Sequence, residues 1–175
     1  MPNINTHLHA ALKLSKKMEV KNLDTFYLGN VYPDCWDYSE EEQCLYHYKK
    51  DISRLCDIEK FMETKERNAF NLGYLFHLLL DNYILKVDMK DISKYDCMIC
   101  DMEVILPLIL ELQKKTFEGK EAQAMEKILA LESEPMPLYL VPEHKKEKYI
   151  EILDEAVETF VDEIRRKNYV FHYGN

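Results

Sequence analysis

His77 and Asp81 stand four positions apart in the most apolar run of the chain, FNLGYLFHLLLDNYI over 70–84. Four positions is about one helical turn, so a helix there sets both side chains on one face, able to meet one partner. An ionised carboxylate left unpaired in apolar surroundings is costly enough that something must compensate Asp81. That partner is a hydrogen-bonded histidine, a lysine or arginine, or a cation. An isolated His-x3-Asp pair suits an intrahelical hydrogen bond within a polar core network as well as a ligand pair.

Three further residues stand in segments with little structural excuse for them: His7 in NTHLH, Asp34 in LGNVYPDCW and His47 in LYHYKKD. Each has a plain alternative. His7 can be a first-turn polar residue, Asp34 can close a turn after Pro33, and His47, among tyrosines and lysines, can lie on the surface. Taken together, the five form a nitrogen and oxygen set of the kind that borderline and hard divalent cations accept. His9 points to a different face from His7 and is read as exposed, or as supporting the ligands from behind. Cys97 and Cys100 lack a second such pair and read as helix packing. His144 and His172 read as loop or terminal polar residues.

The elements that must position these groups are helices. Glycine and proline total only ten in 175 residues, while Leu, Glu, Lys and Met are abundant, so the fold class expected is all-α, as a single multi-helix domain over 1–175 with a metal site between core helices. A first amphipathic helix runs from Thr6 to about Glu19, capped by Asn5 or Thr6. Residues 20–38 hold Gly29-Asn30 and Pro33-Asp34 and read as an ordered loop. A short helix over 39–51, with Ser39 as N-cap, contains His47, and another short helix or turn starts at Asp57. The apolar stretch 68–86 is the core helix. A long helix enters at Asp91, bends at Pro107 and ends by Gly119. One more spans 120–132, an irregular proline-rich connection follows, and the last helix covers 143–167.

Bulk properties remove several function classes. Lysine and arginine number 23 against 32 aspartate and glutamate, a net charge of -9, which disfavours a nucleic-acid backbone or an anionic membrane as general partner. No apolar run approaches the roughly 20 residues of a membrane span. Five cysteines, an odd count, and a start without a leader pattern predict cytoplasmic thiols. Motifs of metalloproteases, di-iron bundles, phosphate loops and nucleophile elbows are missing.

NTHLHAALKLSKKM, FYLGNVYPD, the isolated His47 and NLGYLFHLLLDNYI, in that order, resemble the zinc-dependent phospholipase C family, whose superfamily includes single-strand-specific nucleases. The resemblance covers about the first half of the chain. It implies an all-α fold, clustered zinc ions and phosphoester hydrolysis. Position by position it implies that Asp34, His47, His77 and Asp81 hold one zinc, that His7 joins a second with Asp81 bridging, and that Asp34 is the catalytic base, orienting a metal-activated water toward phosphorus.

The departures from that pattern are equally specific. Where the family continues with a histidine and then a His-x3-Glu on the next helix, 82–105 contains no histidine. The nearest substitutes, Cys97 with Asp101 or Asp96 with Cys100, read as structural or at most as a degraded site, so one or two zinc ions are expected and a third site is not. The chelating amino-terminal tryptophan of secreted members has no counterpart, the sole tryptophan being Trp36. The reading is a metal-dependent phosphodiesterase acting on a small phosphoester or phospholipid headgroup, and the alternative is a non-catalytic metal-binding helical module of the same descent. Tyr32, Trp36, Tyr46, Tyr48 and Tyr74 read as core, or as a substrate wall able to box a choline group.

Overall fold

The computed structural model describes residues 3–35, 39–131, 138–169 and 171. Among these the only regular elements are eight α-helices and one 3-10 turn. The all-α expectation holds. Trp36 and His172, and residues 132–137 of the proline-rich connection, lie outside the described residues.

The central helix, α5 (Ala69–Ile84), is capped by Asn68, whose side chain accepts from the Asn71 N–H at 2.9 Å. Most of its faces are buried, as its apolar run requires. Phe76 meets Phe160 of α8 (Glu143–Arg166) edge-on at 4.7 Å between ring centres. On another side α5 packs against α2 (Leu23–Val31) more extensively than any other pair of helices packs.

That α2 exists at all corrects the loop expected over 20–38. Gly29-Asn30 is no turn: a Cβ on Gly29 would lie 2.0 Å from the Phe70 carbonyl oxygen, and one on Gly73 would lie 2.0 Å from the Phe26 oxygen. The two glycines let the backbones of α2 and α5 touch, a demand that local propensity does not register. A 3-10 turn, Tyr32–Cys35, follows directly and carries Asp34.

Around this pair stand the remaining helices. Helix α1 (Ile4–Ser15) begins two residues before the expected start, because Asn3 rather than Asn5 or Thr6 is its cap, accepting from the Thr6 N–H at 2.9 Å. Its first two turns are buried on all faces, so it is not amphipathic there. Ser39 caps α3 (Glu40–Tyr46) as expected, and Asp57, read as the start of a short helix or turn, is the cap of α4 (Ile58–Thr64). Helix α6 (Lys94–Leu112) starts from a reciprocal capping box between Ser93 and Asp96 and runs through Pro107. Gly119 does not end it. At φ +56°, with open space where a Cβ would stand, Gly119 opens α7 (Gly119–Leu131) instead.

Candidate metal centre

The five side chains singled out in the sequence come from four separate segments and meet at one place. His7 is supplied by α1, Asp34 by the 3-10 turn, His47 by the end of α3, and His77 and Asp81 by α5. His47 Nε2 lies 3.2 Å from Asp34 Oδ1, 3.1 Å from His77 Nε2 and 3.8 Å from Asp81 Oδ2. His77 Nε2 is 3.7 Å from Asp34 Oδ1. His7 stacks on His77 with ring centres 3.6 Å apart and directs Nε2 to within 3.4 Å of Asp81 Oδ1. Asp34, with 19% of its side chain exposed, is the opening to solvent; the other four are buried.

Backbone carbonyls fix the tautomers. His77 Nδ1 donates at 2.8 Å to the Asn30 carbonyl, an oxygen in the last turn of α2. His47 Nδ1 donates to the Gln43 carbonyl at 2.8 Å. With both Nδ1 protons committed, the neutral imidazoles turn bare Nε2 lone pairs toward each other across 3.1 Å. That contact repels unless a proton or a cation sits between the nitrogens. Outer carbonyl partners of this kind orient metal-binding histidines.

The electrostatics fit the same picture. Burial, reinforced by the neighbouring His7, holds the His77 pKa down to about 3, so its Nε2 carries no proton at neutral pH. His47 shifts the other way: burial opposes its charge, but the hydrogen bond and charge of Asp34 outweigh it and raise its pKa. Burial would raise both carboxylates, yet the surrounding imidazoles pull Asp34 and Asp81 below the ordinary range. Of the two facing imidazoles, His47 is therefore the one on which burial and its neighbours favour a proton when no cation is bound.

His47 is delivered by a helix ending of Schellman type. The Tyr48 N–H reaches the Leu45 carbonyl and the Lys49 N–H reaches the Cys44 carbonyl at 2.9 Å, with Tyr48 at φ +54° where glycine is usual. The turn brings the Lys49 ammonium, its side chain 2% exposed, to 3.5 Å from Asp81 Oδ2. Lys49 was not singled out in the sequence, since nothing in YHYKKD separates it from a surface lysine.

A divalent cation fits these donors. Two groups, His7 with His77 and Asp81, and Asp34 with His47 and His77, each offer ligand atoms within 4.8 Å of one another. The separations of 3.1, 3.2 and 3.7 Å in the second group bracket the roughly 3.3 Å edge of a tetrahedron built on zinc-to-nitrogen bonds of about 2.0 Å. Both nitrogens of His7 and Oδ1 of Asp81 are buried with no hydrogen-bond partner, a cost that native cores rarely leave standing.

Residues 3–84 match the family model of zinc-dependent phospholipase C. The resemblance read from the sequence is borne out, and the matched segment contains all five converging residues. The match supports a metal-dependent, phospholipase-type role, with zinc as the metal of the family. No curated protein and no solved structure matches the chain.

Beside this centre lies a second buried polar cluster that corrects the reading of His9 as exposed. His9 is buried, and its Nδ1 donates to Asp101 Oδ1 at 2.9 Å. Asp101 also accepts from Thr6 Oγ1 at 2.8 Å and from the Tyr149 hydroxyl at 2.8 Å. These bonds tie α1 to α6 and α8. Burial, with Asp101 adding to it, pushes the Cys97 thiol up to about 12, so it is protonated and a poor ligand. The oxygens of Asp101 are thus engaged by hydrogen-bond donors of α1 and α8. All five cysteines are free thiols. His144 is exposed in the first turn of α8. Among the described residues no helix is long and apolar enough to cross a membrane.

Proposed function

We propose that this chain is a phosphoester hydrolase of the phospholipase C type that uses zinc held by Asp34, His47, His77 and Asp81, with His7 at the margin. The observation that carries the reading is the pair of Nε2 lone pairs held face to face beside a carboxylate, with both Nδ1 protons tied to backbone carbonyls. A divalent cation, when bound, supplies Lewis-acid chemistry, lowering the pKa of water and offsetting charge on the phosphoryl oxygens.

The chain's own groups do the rest. Asp34 is the catalytic base: it is ionised, borders solvent and turns Oδ1 toward His47, while Oδ2 stays outside those contacts and is the acceptor for a proton of the attacking water. The Asn30 and Gln43 carbonyls keep the imidazoles from rotating as charge builds. Lys49 holds positive charge beside Asp81, where a phosphoester anion gains from it.

A second reading, a non-catalytic metal-binding module, draws on the Asp101 cluster. The carboxylate of α6 that could have chelated an ion is saturated by His9, Thr6 and Tyr149.

Turnover of bis(p-nitrophenyl) phosphate by the purified chain separates the two. Activity is expected to vanish on chelation, return with zinc, and be missing from a His77→Ala and Asp81→Ala double variant. A zinc-loaded, folded chain that leaves a panel of phosphodiesters intact overturns the hydrolase reading in favour of the module.

A further inference from the structure

The chain carries a net charge of -9, yet a cavity of about 580 Å³ beside the centre gathers Lys49, Lys50, Lys60, Lys65 and Lys120 against a single carboxylate, Asp57. These lysines come from three regions, the turn after α3, α4 with the residue after it, and the start of α7. Asp57 is already engaged as the cap of α4, accepting from the Lys60 N–H at 3.0 Å. Among the described residues no carboxylate lies within ion-pair distance of Lys50, Lys60, Lys65 or Lys120. Four ammonium groups without counter-charge around one concavity repel each other, and an anion relieves that repulsion.

The aromatic lining points the same way. Four tyrosines border the cavity, the arrangement in which a choline group could be boxed. Two of those rings are already attended by protein cations: Lys120 Nζ stands 5.7 Å from the Tyr32 ring centre and Lys65 Nζ 6.0 Å from that of Tyr48. A quaternary ammonium entering here would meet the lysines rather than open π faces. The cavity adjoins the centre through Lys49, whose ammonium is 3.5 Å from Asp81 Oδ2.

We infer that this cavity binds the anionic headgroup of a phosphorylated ligand, so that the substrate class is phosphodiesters carrying a further negative charge rather than choline esters. That the ligand is a substrate rests on the hydrolase reading above; that the cavity takes an anion does not.

The test is equilibrium binding to the zinc-loaded full chain of dioctanoyl phosphatidylinositol 4-phosphate, dioctanoyl phosphatidylcholine and chainless inositol 1,4-bisphosphate, with hydrolysis of the two lipids followed in parallel. The anionic lipid is expected to bind at least about tenfold more tightly than the choline lipid, an advantage that shrinks as salt rises. A Lys60→Glu and Lys120→Glu double variant, altered only at exposed positions, is expected to lose that advantage without weakening the choline lipid. A Lys60→Gln and Lys120→Gln pair, losing part of it, guards against a folding defect. Lysine-dependent binding of the chainless bisphosphate assigns recognition to free phosphate groups, and a requirement for the chains assigns it to lipid; either upholds the inference. Equal binding of the two lipids, indifference to the double variant, or no binding of any probe overturns it. Selective binding without hydrolysis removes the hydrolase reading and leaves the anion cavity, whereas hydrolysis of both lipids at equal rates with no binding preference does the reverse.

Discussion

Replacing Gly73 by alanine tests whether the helix crossing positions the centre. The new Cβ would fall 2.0 Å from the Phe26 carbonyl oxygen and 2.8 Å from the Asn30 nitrogen, where contacts under 3.0 Å are essentially never tolerated. Helices α2 and α5 must therefore part by about 1 Å at the crossing. Two hydrogen bonds span that gap: His77 Nδ1 to the Asn30 oxygen at 2.8 Å, and Asn30 Nδ2 to the Gly73 oxygen at 3.2 Å. Overpacking costs about 1–3 kcal/mol, and each of the two weakened bonds about 1 kcal/mol, giving about 3–5 kcal/mol in all. For a chain of this size that lowers Tm by about 6–20 °C. Loss of the carbonyl that orients His77 should also weaken zinc binding by about 10- to 100-fold, although Gly73 touches no ion. Competition for zinc with a chromophoric chelator, alongside thermal melts, reads both effects. Gly119→Ala is the control: it strains a residue at φ +56° with open space around it, so Tm should fall slightly and zinc affinity stay unchanged. A Gly73→Ala chain with normal zinc affinity refutes the claim that α2 sets the orientation of His77.

Zinc affinity should depend on pH through His47. Its folded pKa is raised, so in the zinc-free chain its stabilising contribution is present below the unfolded value near 6.5 and is lost as pH rises through the folded one, while zinc affinity climbs over that window and levels off above it; calorimetric titration from pH 5.5 to 8 that shows flat affinity removes His47 from the donors. Asp96, buried and held down to about 2 by the Ser93 N–H, the Tyr139 hydroxyl and Lys145 acting against burial, contributes stability present above pH 4 and lost as pH falls toward 2. Asp96→Asn should thus cost about 2 kcal/mol at pH 7 in urea denaturation and nearly nothing at pH 2. Tyr149→Phe removes a hydroxyl bonded to buried Asp101 and should cost about 1–3 kcal/mol, with zinc stoichiometry by elemental analysis unaltered; a changed stoichiometry makes the second cluster part of the centre.

What the sequence made legible was governed by local spacing. His77 and Asp81 share a helical face because they are four apart, and Ser39 caps a helix because its short polar side chain precedes a run of helix formers. The misses were set by contacts distant in sequence. Gly29-Asn30 has the form of a turn, but the close approach of Phe70 and Gly73 makes it the middle of a helix crossing. His9 sits in the same short run as His7, and only the position of Asp101 on α6 reveals that it is buried and bonded. Lys49 needed the left-handed residue at Tyr48 to turn it inward, and no glycine marked that bend.

Donor geometry also bears on how many ions the centre serves on the proposed reading. His77 spends Nδ1 on the Asn30 carbonyl, so only Nε2 is left for a cation, and that atom faces His47 and Asp34. The neighbouring group then keeps His7 and one oxygen of Asp81 as its own donors, fewer than the three protein ligands that catalytic zinc sites commonly use. The ammonium of Lys49 already lies against the other oxygen of Asp81. One divalent ion offsets the charge of Asp34 and Asp81, and Lys49 leaves a positive excess facing the lysine-lined cavity. A second ion would bind on few donors and against that excess. The arrangement therefore favours a single zinc, with lysine charge in place of further metal at the phosphoryl group.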